Sequence, residues 1–299
     1  MEGLHFTDTF TPVASVLRVR VVLSITAAQG FAVHQMDMVT AFAGSEPHEE
    51  LYVSLQVWVF GRQRLACLNR CLYRLKQSPR SWYTTMDNLL ITKMGFRRGR
   101  FDCCVYTLNN GTILGLYIDD MLIAGALGEV KLVCDRLKSQ FEMVDLGTVS
   151  QFLVLVVSMD TKGHTISVRQ EGYIDRVLER FGMASCKPVG TPMEKDKQDM
   201  KGGGDKLCDR TLYLQLIGSG RIATGTGPDI ASTVSYLGRF HKDPNDHHWL
   251  CAKSVLRYLQ GTKKLRLSLV GEMRAGVRLA GFMDSDFARD AGMLQPTSG

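Results

Sequence analysis

Apolar and polar positions along the chain follow two periods, and the switches between them outline the elements. Residues 13–29 read as a helix or buried segment closed by Gly30. "AVHQMDMV" then alternates: Val33, Gln35, Asp37 and Val39 fall on one side, and His34, Met36 and Met38 on the other. That is a strand pattern, expected to end near Phe42 before the breakers of "AGSEPHEE". "LKQSPRSWYTTMDNLLITKMGF" carries a helical stripe through Trp82, Met86, Leu89, Leu90 and Met94, with Pro79 suited to the first turn. "CVYTL" and "TILGLYI" are strands joined by the turn sequence "NNG". The second runs into Asp119-Asp120, and "MLIAG" returns, which sets the two acids at the tip of a second hairpin. Val130, Val133, Leu137 and Phe141, at spacings of 3, 4 and 4, mark an amphipathic helix.

The second half repeats the same vocabulary. "FLVLVVSMDTKGHTISVRQ" reads as a hairpin turning at Lys162-Gly163, "GYIDRVLERFGM" as a short helix, and "VGTPMEKDKQDMKGGGDK" as a polar, Gly-rich linker. "PDIASTVSYLGRF" and "HHWLCAKSVLRYLQGT" read as helices, and "VRLAGFMDSDFARD" as a strand with acids at its end. In the first half the order is strand with Asp37, helix, hairpin with Asp119 and Asp120, helix. Its natural packing is α+β: a split βαβ sheet with helices on one face. The Asp37 strand can then lie beside the hairpin, so that three carboxylates converge.

Charge sharpens this picture. The 299 residues carry a net charge of +6, and no acid occurs from Leu51 to Met86. That stretch holds Arg62, Arg64, Arg70, Arg74, Lys76 and Arg80, with Trp58, Tyr73, Trp82 and Tyr83 among them. Bases and aromatics interleaved in this way suit a phosphate backbone with stacked bases, although an ordinary solvated basic face has the same composition. The eight cysteines form no CxxC pair and fit reduced thiols inside a cell. No apolar run reaches membrane length, and the N-terminus lacks the pattern of a signal peptide. His241, His247, His248 and Cys251 lack the paired spacing of a zinc site and read as a polar loop entering a helix.

Asp119 and Asp120 sit between apolar runs, where adjacent carboxylates repel each other and are costly to desolvate. An acidic turn is one explanation. A divalent-ion site is the other: clustered carboxylates with two Mg2+ ions support in-line phosphoryl transfer.

The surrounding text decides between them. "FTDTFTPVASVLRVRVVLSITAAQGFAVHQMDMVTAF", "LYRLKQSPRSWY", "LYIDDMLIAG", "FEMVDLG", "GYIDRVLERFGM", "CKPVGTPM", "GPDIASTVSYLGRF" and "HHWLCAKSVLRYLQGT" occur in the order found in the reverse transcriptase of Ty1/copia-type LTR retrotransposons. The chain resembles that family along nearly its whole length. The resemblance implies a polymerase palm with thumb and helical connection over an RNA template, a DNA primer and a dNTP. Asp37, Asp119 and Asp120 match the catalytic, metal-binding acids, with Met38 offering a backbone carbonyl to two Mg2+ ions. Phe42 matches the aromatic gate beneath the sugar, and its plainer reading is a core Phe. Gln77 and Arg80 match the nucleotide-binding motif, and Arg70, Arg74 and Lys76 would contact nucleic acid. Asp284 and Asp286 resemble the first acids of an RNase H domain. The implied layout is palm and thumb over 1–192, linker over 193–210, helical connection over 211–272 and an RNase H-like start over 273–299. An intracellular site, cytoplasmic in a virus-like particle or nuclear, follows, with other Pol or Gag segments as further partners.

Several positions depart from the family pattern. Val154 stands where a Gly is usual, Val144 where a Lys is usual, Arg74 where a Gly is usual and Gly227 where an Arg is usual. "QPEGF" is missing, and the family's fingers segment would precede residue 1. The expectation is a drifted, truncated copy with the catalytic acids intact and little polymerase activity. A second expectation, of another class, is a non-catalytic remnant co-opted as a binding or effector protein.

Overall fold

The computed structural model describes residues 10–12, 15–55, 64–160, 164–193 and 209–271, and the backbone of 285–286 and 297–298. They fall into two units. One comprises residues up to Leu153 with Asp160–His164, and the other comprises Val154–Met159 with the residues from Thr165 onward. Among the described residues no helix is long and apolar enough to cross a membrane.

In the first unit α1 (Val16–Gln29) ends at Gly30, whose φ of 62° lets the chain turn back on the helix. β1 (Ala32–Met38) follows. The strand stops four residues short of Phe42, because Thr40 turns left-handed (φ 56°) and a 3-10 turn covers Ala41–Gly44. β2 (Tyr52–Leu55) and β3 (Arg64–Cys67) pair as a separate ribbon that has no clear apolar alternation in the sequence. α2 (Ser78–Asn88) carries Pro79 in its first turn and runs into a π turn over Leu89–Lys93. β4 (Arg97–Arg98), β5 (Val105–Thr107), β6 (Ile113–Tyr117) and β7 (Asp120–Gly125) come next. α3 (Leu127–Lys138), β8 (Met143–Thr148) and β9 (Gln151–Phe152) complete the unit. Phe141 lies beyond the end of α3, where its ring meets Trp82 edge-on at 5.4 Å.

The main sheet has the order β4-β5-β6-β7-β1-β8. β1 is inserted between the hairpin and the edge strand β8 and is antiparallel to both. Met36, Met38, Met121 and Ile123 point to one face, under Trp82 and Met86 of α2 and Val130 and Val133 of α3. The other face is covered in part by α1, whose Val19 and Val22 share a small cavity with Gly115, Leu122 and Phe152. The expectation of helices on one face is therefore corrected: α1 buries its own apolar stripe on the opposite face.

In the second unit β10 (Leu155–Asp160), β11 (Thr165–Arg169) and β12 (Leu267–Val270) are neighbours in a sheet. The expected turn at Lys162-Gly163 lies outside the described residues. α4 (Glu171–Arg180), α5 (Arg210–Ala223), α6 (Ala231–Gly238) and α7 (Asp246–Thr262) surround a core of Leu178, Tyr213, Leu216, Leu237, Val255 and Leu256. α5 is hard to foresee because its glycines dilute the helical stripe. His248 closes a capping box with Asn245 at the start of α7, and its ring stacks on Phe240 at 3.8 Å. Most of the expected linker, residues 194–208, lies outside the described residues, as does Asp284. Asp286 belongs to a two-residue strand paired with Thr297–Ser298.

Arg74 has φ 74°, a left-handed conformation that costs an L-residue roughly 1–2 kcal/mol and glycine almost nothing. The glycine usual at this position in the resembling family has a backbone reason. Arg74→Gly should stabilise the fold by about 1 kcal/mol after the entropy lost by the more flexible residue is subtracted. The midpoint of a urea titration measures this.

Candidate functional site

The β6–β7 hairpin closes on the pair Tyr117 and Asp120, leaving Ile118 and Asp119 at its tip. Ile118 has φ 56°, a costly conformation for a β-branched residue. Two bonds from outside the hairpin hold it. The Trp82 indole N–H donates to the Ile118 carbonyl at 2.6 Å, and the Met38 N–H donates to the Asp119 carbonyl at 3.0 Å. Trp82 is itself enclosed by Phe141 and by the turn at Gly44. A Cβ on Gly44 would lie 3.1 Å from Met38 Cε and 3.2 Å from Trp82 Cζ3, so the close packing depends on glycine there.

β1 pairs with β7 so that Asp37 lies directly opposite Asp120. Cross-strand partners share a sheet face, and Asp119 adjoins them at the tip. Gln35, two residues before Asp37 and so on the same face, donates from Nε2 to Asp120 Oδ1 at 3.2 Å. Partial burial and the neighbouring Asp119 raise the Asp37 carboxyl above the ordinary carboxylate range. Asp120 is raised by burial and by Asp119 and Asp37, against the lowering effect of the Gln35 bond. Among the described residues no ion pair involves these three acids. The β8 residue facing Asp37 is Val144, 44% exposed. The tightest groups of possible metal-ligating atoms, all within 4.8 Å, lie elsewhere among the described residues, so the three carboxylates share an edge without closing to that distance.

The other residues anticipated from sequence divide into surface and core. Phe42 is buried at 8% exposure, its ring 4.6 Å from that of Tyr73. Gln77 precedes α2, and the Arg80 guanidinium lies 6.0 Å over the ring of Tyr83. Arg70 pairs with Glu46 at 3.5 Å on the surface, and Arg74 and Lys76 are exposed. A cleft of about 440 Å³ beside the end of β1 is lined by Met38, Thr40, Gly44, Arg70, Phe141 and Glu142. The picture of aromatics interleaved for stacking is corrected at Trp82 and Tyr83: both are buried, because the helical stripe of α2 turns them into the core. Trp58 and Arg62 lie outside the described residues. Val154 is not left-handed, and the backbone strain falls one residue earlier, at Leu153 (φ 55°). Gln35 was legible from the strand alternation. The indole bond of Trp82 carried no sequence signal.

A family model described as reverse transcriptase (RNA-dependent DNA polymerase) matches residues 1–195. The chain belongs to the reverse transcriptase family. Its relatives include the retrovirus-related Pol polyprotein from transposon TNT 1-94 of Nicotiana tabacum, 34% identical over all of this chain and 23% of its own length. The corresponding polyprotein from transposon RE2 of Arabidopsis thaliana is 30% identical over 99% of this chain and 20% of its own length. A transposon Ty5-1 protein of Saccharomyces cerevisiae is 32% identical over 82% of this chain and 80% of its own length. The similarity to Ty1/copia-type Pol polyproteins thus runs along the whole chain, which spans about a fifth of the length of the two plant relatives. In this chain the three acids occupy one strand and one hairpin tip.

The raised carboxyls set a testable sign. A carboxyl whose pKa is higher in the fold than in the unfolded chain destabilises the fold once ionised, and the penalty fades as pH falls through that raised pKa. Without divalent ions, Asp120→Asn should stabilise the chain at neutral pH by a small margin, because solvent screens the half-exposed carboxyl. The advantage should shrink on acidification below the raised pKa. Denaturant titrations of both proteins across the acid range check the sign. Trp82→Phe should instead destabilise by about 1–3 kcal/mol, since it leaves the Ile118 carbonyl without its buried donor. Thermal unfolding measures that loss.

Proposed function

We propose that this chain carries the palm of an RNA-directed DNA polymerase, with Asp37, Asp119 and Asp120 as the ligands of two Mg2+ ions. The observation that carries the reading is the register setting Asp37 opposite Asp120 beside a strained hairpin tip. Hard carboxylate oxygens are the donor set that Mg2+ prefers, and burial, helped by the neighbouring carboxylates, raises two of the pKa values. When bound, two such ions activate an attacking hydroxyl and stabilise the leaving oxygen of an in-line displacement. The reaction is attack of a primer 3′-hydroxyl on the α-phosphate of a dNTP on an RNA template, with pyrophosphate leaving.

The chain's own residues position that chemistry. Trp82 and Met38 hold the hairpin tip, and Gln35 orients Asp120. The Met38 carbonyl is assigned as a further metal ligand, Phe42 as the support beneath the sugar, and Gln77 and Arg80 as nucleotide contacts. Arg70, Arg74 and Lys76 are assigned to template-primer phosphates. Residues 1–192 would form palm and thumb, 193–210 a linker, 211–272 a helical connection and 273–299 an RNase H-like start with Asp284 and Asp286. The enzyme would act inside the cell beside other Pol or Gag segments.

Val144 limits the activity, because an apolar side chain faces Asp37 where a cation would complement it. Primer extension on an RNA template with Mg2+ should be weak in the parent, absent in Asp119→Asn, and roughly tenfold stronger in Val144→Lys. The last figure corresponds to about 1.4 kcal/mol of added transition-state stabilisation. Extension that survives Asp119→Asn would refute the metal assignment. No extension by either active-site-intact protein, despite salt-sensitive template binding, would leave a binding role.

A further inference from the structure

A second cluster of ligating side chains lies on the opposite face of β1 from the carboxylates. His34 of β1, Cys134 of α3 and Asp145 of β8 each place one ligating atom within 4.8 Å of the other two. We infer that His34, Cys134 and Asp145 form a zinc-binding site that ties α3 and the edge strand β8 to the central strand β1.

Local structure explains why the three meet. His34 and Met36 share the face covered by α3, and Asp145 pairs with Met36. Between Gln35 and Met36 the register with β8 shifts, and Gly147 takes φ 71°. Such a bulge redirects side chains, and here it leaves the Asp145 carboxylate 3.9 Å from His34 Nδ1. Cys134 enters from the buried stripe of α3 at 2% exposure.

The chemistry of the donors selects the ion. A thiol, an imidazole and a carboxylate are the nitrogen, sulfur and oxygen ligands zinc accepts, whereas Mg2+ takes oxygen alone. His34 Nδ1 is buried without a hydrogen-bond partner, an unmet cost that coordination would remove. The carboxylate is already oriented: Asp145 Oδ1 accepts from the Gly147 N–H at 2.9 Å, and Oδ2 pairs with Lys138 at 2.9 Å. Burial holds the Cys134 thiol at a pKa of about 11, so ion binding would release its proton to solvent as the zinc–sulfur bond forms. Three protein ligands leave the fourth tetrahedral position to water.

The test uses the full chain, stripped with a chelator and titrated with Co2+ in excess Mg2+. The expected result is one equivalent of Co2+ giving a thiolate-to-cobalt charge-transfer band and the visible absorption of a tetrahedral site, both displaced by Zn2+. Cys134→Ser should abolish the charge-transfer band, and His34→Gln should weaken Co2+ binding by at least about 100-fold, more than the loss of a supporting outer residue. Asp119→Asn should leave the spectrum unchanged, so the site stands or falls separately from the polymerase reading. The double variant Cys103→Ser, Cys104→Ser should also leave it unchanged, which separates this cluster from the other group, Asp102, Cys103 and Cys104. Absence of a thiolate band in the parent protein overturns the inference, whatever the folding of the variants. So does a band that persists in Cys134→Ser or is lost in the double variant.

Discussion

The antiparallel register between β1 and β7 is the constraint on which the site depends. Side chains alternate along a strand, so a slip of one residue would turn Asp37 into the core and Met36 out of it. Met36, Met121 and Ile123 are fully buried beneath α2 and α3, and each anchors the register. The acids face each other because the methionines and the isoleucine between them cannot leave the other face. Hydrophobic burial thus sets the position of charges that would not assemble by their own interactions.

The site is held against several unfavourable local terms. Ile118 is left-handed, two carboxyls are pushed above their normal range, and Val144 supplies no counter-charge. Backbone strain of this sort persists only where the surroundings over-determine it. Here the surroundings are one indole N–H, one backbone N–H from β1 and the tight passage of Gly44 over Trp82. The local sequence preference and the global packing disagree at the hairpin tip, as they do at functional sites where a strained geometry is retained.

β8 serves both faces of the sheet. Its Val144 stands beside Asp37, and the next residue, Asp145, turns toward His34 on the far side. A single exposed edge strand therefore borders the carboxylates and the His34–Cys134–Asp145 cluster, and its bulge decides which residue faces which.

The sequence by itself determined the two hairpin strands around Asp119 and Asp120, the Asp37 strand, α2 and α3, since their apolar periods are strong and local. It also determined the family, because ordered motifs survive drift. It did not reveal β8, an edge strand exposed along most of its length, or α5, whose stripe is diluted by glycines. Tertiary structure alone decided that α1 covers the second face of the sheet, that Tyr83 is a core residue, and that an indole clamps the hairpin tip. It alone brought His34 to Cys134 and Asp145, which lie about a hundred residues further along the chain. The physical reason is the same in each case. Periodicity reports which side of an element is apolar, whereas the partner that covers that side is chosen by long-range packing, for which a single chain segment carries no signal.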